Sequence, residues 1–167
     1  MDAVDLHILG LIQSECRRSA GELAHRVGLS VSAARDRLRR LEAVGTVRAH
    51  RALLDPHRLG LDLCAFLLVE LEPRADDLAF AEEVRLLPVV QEAYRVTGAH
   101  SWLLKVRVRN SATLHHLIGT HLKRQFGAIR VTTMVAFEVV KETTELPLPG
   151  SDVWPPNYAT QRMPEAS

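Results

Sequence analysis

An α+β chain is what the sequence predicts, with a winged helix-turn-helix at its N-terminus and a ferredoxin-like βαββαβ domain after it. Three observations carry that prediction. Two helical patterns near the start are joined by only three residues, Gly28-Leu29-Ser30. Beyond residue 60 the hydrophobic period changes, and segments follow one another as strand, helix, strand, strand, helix, strand. The charge divides along the chain too. The 167 residues sum to +1, yet residues 1–52 hold nine arginines against six acids, +3, while the remainder holds 12 basic against 14 acidic side chains, −2.

Composition excludes several classes. With 47% hydrophobic residues and almost no net charge the chain can bury a core, unlike a disordered tail. Cys16 and Cys64 are too few for a disulfide-stapled module. Apolar runs such as residues 65–69 fall far short of the roughly 18–20 residues of a spanning helix, and the acidic start Met1-Asp2-Ala3-Val4-Asp5 does not suit a signal peptide. A soluble, cytoplasmic protein with no membrane partner is expected.

Three short helices are predicted first. Leu6, Ile8, Leu9 and Ile12 form an apolar stripe after Asp2 or Asp5, either of which can cap. Ser19, with Glu22 three residues on, forms a capping-box pattern ahead of Leu23, Ala24 and Val27. Gly28 ends this helix, because a residue without a Cβ turns left-handed at no steric cost. Ser30 caps a third helix over residues 31–44, which Gly45 stops. At 100° per residue, Val31, Ala34, Leu38 and Leu41 lie within about 80° of one another and are predicted to be buried. The opposite side carries Ser32, Asp36, Arg39, Arg40 and Ala43, with Ala33 at its margin and Arg35 and Arg37 flanking. Small residues in the first turns permit close approach while guanidinium forks reach base edges or phosphates, as a recognition helix in a major groove requires. Residues 30–51 are locally +4, an electrostatic footprint for phosphate. A strand pair or wing is predicted over residues 46–54, laying Arg48, His50 and Arg51 against the backbone. The predicted nucleic-acid contacts are thus Ser30, Ser32, Ala33, Arg35, Asp36, Arg37, Arg39, Arg40, Arg48 and Arg51, and Arg40→Ala is expected to weaken binding.

The domains are read as residues 1–52, a turn-rich linker over 53–60, and a second domain over 61–148. Within the last, strands are predicted at 61–71, 89–96, 102–108 and 129–140. Helices are predicted from 73–77 to Pro88 and over 111–122, the latter with Leu114, Leu117, Ile118 and Leu122 inward. The final strand should set Ile129, Val131, Thr133, Val135, Phe137 and Val139 on one face. In residues 64–71 Cys64, Phe66 and Leu68 on one alternating set and Ala65, Leu67, Val69 and Leu71 on the other are all apolar, although two helices cover only one side of the sheet, so a second subunit is expected on the other. Residues 149–167 form a Pro-rich tail, read as disordered or as an arm anchored by Trp154 and Tyr158.

No enzymatic constellation is found. His115, His116 and His121 lack the i, i+4 spacing of a metal pair, no serine sits in a nucleophile elbow and no phosphate loop occurs, so no metal and no cofactor are expected.

The chain resembles the Lrp/AsnC, or feast/famine, transcriptional regulators over residues 1 to 148. The resemblance rests on DLHILGLIQSECRRSAGELAHRVGLSVSAARDRLRRLEAVGTV, on LLDPHRLG, on VTG followed by WLLKVRV, and on VVKETTELPL. It implies a DNA-reading domain followed by a RAM-type small-molecule domain, homodimers formed through the sheets and often closed into octamers, and association with the nucleoid. It also implies an amino-acid effector in the loop after the second strand, here Gly98-Ala99-His100-Ser101, with Thr132 and Thr133 as secondary candidates. Relatives usually carry Asp where this chain has Ser101. A serine cannot offset an α-ammonium, whose burial without a counter-ion costs several kcal/mol. An amino acid, another effector and none all remain open, and the competing functional reading is a non-sensing architectural protein that bends or compacts DNA.

Overall fold

A computed structural model describes residues 1–149 of the chain, so the tail reading, with Trp154 and Tyr158, lies outside the described residues. Two compact units are present. The first comprises Met1–Leu53 together with the described residues from Glu142 onward; the second is Leu54–Lys141.

In the first unit α1 (Ala3–Ser14), α2 (Ala20–Val27) and α3 (Val31–Ala43) begin at local caps. The box at α1 is acidic: the Asp5 N–H donates to Asp2 Oδ1 (2.8 Å) and the Asp2 N–H donates to Asp5 Oδ2 (3.0 Å). Ser19 and Glu22 make the predicted box at α2. Gly28, at φ +68°, ends that helix, and the Leu29 N–H closes on the Ala24 carbonyl. Ile8, Leu9, Ile12, Leu23 and Leu41 form the core, with Val27, Leu38, Val47 and Leu148 packed around it. Val31 departs from expectation and is 46% exposed. The buried arc centres on Ala34 and Leu41, and Val31 sits at its edge in the first turn, where no facing helix reaches it. The predicted wing is also absent: beyond the turn at 44–47 residues 48–53 make no strand, and the exposed His50 ring meets Glu42 (3.0 Å). Among the described residues the segment has no backbone partner to pair with.

The second unit contains β1 (Leu63–Leu71), α4 (Asp77–Leu86), β2 (Val90–Arg95), β3 (Trp102–Val108), α5 (Ser111–His116) continued by a π-helix (Leu117–Gln125), and β4 (Ala128–Val135). The sheet order is β2-β3-β1-β4 with antiparallel neighbours, the ferredoxin-like arrangement. Ala65, Leu67, Val69, Leu104, Val106 and Val108 point to one side and pack with Phe80, Val84, Leu114, Leu117 and Leu122. Leu117 and Leu122 are five residues apart, and π-winding lets both face this core where α-winding would rotate one away. The last strand stops at Val135 instead of residue 140, because β1 begins at Leu63 and offers no further partner beyond Cys64. A bulge opposite Glu70 and Leu71 breaks its alternation at Ile129, which is 50% exposed, while Phe137 lies past the strand's end and is fully exposed.

Candidate nucleic-acid interface and effector loop

The arginines of α3 fall into two sets with different surroundings. Arg37 and Arg40 turn toward α1. Arg37 donates to Asp2 Oδ2 (2.6 Å) and to Asp5 Oδ1 (2.9 Å), and Arg40 Nη2 spans both Asp5 oxygens (3.0 and 2.9 Å). Asp5 is 1% exposed, so α1's cap is also a buried anchor for α3. Two of the arginines proposed from sequence to touch DNA are therefore held by carboxylates of the same unit. Arg35 and Arg39 behave differently: both are exposed, and among the described residues neither makes an ion pair. They lie with Ser32 and Asp36 on the side of α3 opposite Ala34 and Leu41. Ser30 acts as the cap, accepting from the Ala33 N–H (3.2 Å), and its hydroxyl meets that of Ser32 (3.1 Å). Ala33 is half-buried, while Arg48 and Arg51 are exposed on the irregular segment. The result is a compact face of short side chains flanked by two unpaired guanidinium groups.

The acid pairing has a pH consequence. The Arg37 hydrogen bond, then the Asp5 N–H, holds the Asp2 carboxyl below its ordinary value of 3.8. At Asp5 the Asp2 N–H contributes most and Arg37 next, against the opposing effect of burial. Groups depressed in the folded state contribute stability that is complete above the unfolded value, near 3.8, and is lost as pH falls through the lower folded values. Stability of the first unit is therefore expected to be flat in this respect above about pH 5 and to fall below about pH 4. Urea unfolding followed across pH 3–6 checks this, and Asp5→Asn should flatten the acid limb.

In the second unit Gly98, at φ +116°, lets the chain reverse between β2 and β3, and the Val96 N–H closes the loop on the Ser101 carbonyl (2.9 Å). The Ser101 N–H donates to the Val69 carbonyl (3.0 Å), seating the loop at the end of β1, and His100 Nε2 meets Thr132 Oγ1 on β4 (3.3 Å). Loop and last strand thus come together as expected through Thr132. Thr133 pairs with the buried Leu67, so its side chain points to the opposite face, away from His100. Gly98 and Ala99 are exposed at the tip.

Two features were missed from sequence. The acid anchor depends on residues more than 30 positions apart, although two acids at an N-terminus facing an arginine-rich helix is a usable signal. The π-helix brings the rings of His116 and His121 to 5.9 Å despite their spacing of five, but each ring bonds its own neighbour, Thr120 or Gln125. Among the described residues no three His, Cys, Asp or Glu side chains gather as for a metal.

Known proteins share both halves of this arrangement. Residues 1–42 match the AsnC-type helix-turn-helix domain and residues 64–146 the Lrp/AsnC ligand binding domain. The leucine-responsive regulatory proteins of Escherichia coli (strain K12) and Klebsiella pneumoniae are each 36% identical over 148 residues, 87% of this chain and 90% of theirs. A transcriptional regulator of Neisseria meningitidis, solved in complex with L-Met, superposes with a TM-score of 0.83 at 33% identity, covering 89% of this chain and 97% of its own. An AsnC family transcriptional regulator from Agrobacterium tumefaciens gives 0.82 at 30%, covering 88% and 97%.

Proposed function

The chain belongs to the Lrp/AsnC family of transcriptional regulators, and from that premise we propose that it reads paired DNA half-sites through the outer face of α3 and answers to an amino acid at the loop 98–101. Its relatives are transcriptional regulators, not enzymes. The observation that carries the proposal is the exposed, unpaired Arg35 and Arg39 beside Ser32 and Asp36. Guanidinium forks and short polar groups on one helix face suit base edges in the major groove. Arg48 and Arg51 would lie along phosphate, and Arg37 and Arg40 support the helix from behind.

The far side of the sheet supports a dimer. Met134 is 47% and Tyr94 51% exposed, and Phe66 and Leu68 are only partly covered. A second copy would bury these side chains, and further closure to an octamer follows the resemblance. DNA binding would place the protein at the nucleoid; no described helix is long and apolar enough to cross a membrane. Enrichment of genomic fragments on the purified chain should yield discrete pseudo-palindromic sites. Uniform recovery of all fragments would instead favour architectural compaction.

The effector reading draws on the L-Met complex of the Neisseria regulator and on the His100–Thr132 contact. Thermal unfolding in the presence of each of the twenty amino acids, at millimolar concentration, should show at least one that raises the midpoint by several degrees. His100→Ala should abolish that shift while leaving the midpoint without amino acid nearly unchanged. An absence of any shift in the parent protein would remove amino-acid sensing from the account.

A further inference from the structure

The chain passes between its two units twice, after Leu53 and after Lys141, because residues 142–148 return to the helix-turn-helix. Their docking there is specific. The Gln13 side-chain amide grips the backbone of Leu146 from both sides: its Oε1 accepts from the Leu146 N–H (2.8 Å) and its Nε2 donates to the Leu146 carbonyl (3.1 Å). Two residues on, Leu148 packs onto the core of Ile8, Leu9, Ile12, Leu23 and Leu41. Gly10 lies beneath it: a Cβ at that position would stand 3.5 Å from Leu148 Cδ1, an ordinary van der Waals contact. The side-chain amide does for this segment what a neighbouring strand would do, and the leucine adds an apolar anchor.

The two connections also leave the sheet side by side. The linker enters β1 at Leu63, and the segment leading to Gln13 departs from β4 at Val135; Ala65 pairs with Val135, and the Ala136 N–H donates to the Cys64 carbonyl (3.0 Å). A unit held by one flexible connection can swivel about every torsion in it. A second connection closes a loop and removes most of that freedom. β4 is also the strand whose Thr132 meets His100, so the second connection starts on the element that touches the proposed effector loop.

We propose that residues 142–148 are a docked strap that converts the tether of each DNA-reading unit into a two-stranded hinge and thereby sets the spacing of two readers in a dimer. The inference rests on the reading that the chain binds paired half-sites. Its advantage falls only on DNA that engages both readers, because restricting their separation raises the effective concentration of the second after the first has bound. A single half-site gains nothing from it.

The test uses the full chain carrying Gln13→Ala with Leu148→Ser, and duplexes that the unaltered chain selects from a random pool, cut to contain one half-site or two. Affinity for the two-site duplex should fall tenfold or more while affinity for the one-site duplex stays within twofold. Hydrogen exchange at the Leu146 amide should accelerate, reporting release of the strap. An equal fall on both duplexes would show that the substitutions merely destabilise the reader, and no fall on either would show that the strap does not set spacing; each result overturns the proposal. If the unaltered chain selects no duplex, the DNA-reading assignment fails and the hinge fails with it.

Discussion

Replacing Asp5 with alanine is expected to destabilise the helix-turn-helix unit by about 2–3 kcal/mol, a fall of roughly 10–20 °C in its unfolding midpoint. Asp5 is buried, and its carboxylate accepts one hydrogen bond from the Asp2 N–H and three from Arg37 and Arg40. Alanine deletes all of these at once, along with half of the capping box of α1. Removing one partner of a fully buried ion pair costs about 3–5 kcal/mol when the orphaned charge stays inside. Here the Arg40 side chain is 59% exposed and that of Arg37 29%, so both guanidinium groups can turn to water, which lowers the figure. Asp5→Asn should lose about half as much, since one amide oxygen still accepts from the backbone. Circular dichroism during heating checks both variants. An alanine variant within 0.5 kcal/mol of the parent would show that the acid anchor is incidental.

Arg35→Ala combined with Arg39→Ala is expected to weaken binding to a selected duplex about a hundredfold at near-physiological salt, with the unfolding midpoint unchanged. Each bidentate contact to a base is worth about 1–3 kcal/mol, so the loss of two gives roughly thirtyfold at the least and on the order of ten-thousandfold at the most. If either arginine lies on phosphate instead, the slope of log affinity against log salt should shrink by about 0.9 for each contact removed, and all sequences should suffer alike. Arg40→Ala serves as the comparison. Its guanidinium is engaged by Asp5, so its effect should appear mainly in stability and only weakly in discrimination between sequences. Should Arg40→Ala relax sequence preference more than the Arg35 and Arg39 pair does, the assignment of roles on α3 is reversed.

What the sequence made legible was mostly local. The boxes at Ser19 and Glu22, the left-handed Gly28 and the cap at Ser30 depend on residues within one turn of each other, and all three form as predicted. Strand order could be anticipated because period and sequence spacing leave few ways to cover a four-stranded sheet. The failures were of another kind. Val31 shares an arc with Ala34 and Leu41 on a helical projection, but a projection does not say where the neighbouring helix ends. The pairing of Arg37 and Arg40 was missed because charge patterning treats each helix alone, whereas their carboxylate partners, Asp2 and Asp5, lie at the start of α1. The contact of Leu146 with Gln13 was not legible, because nothing in ETTELPL announces that Gln13 will hold its backbone. The seat of the loop 98–101 was half legible: sequence brought Thr132 and Thr133 forward together, and only the register of β4 against β1 separates them.

Hydroxyl-radical footprinting of the full chain on a duplex recovered by selection tests the central claim most directly. Two protected windows of similar depth are expected, about 34 Å or one helical turn apart, both weakened when Arg35 and Arg39 are removed. A single window, or protection spread evenly along the duplex and indifferent to those substitutions, would contradict it.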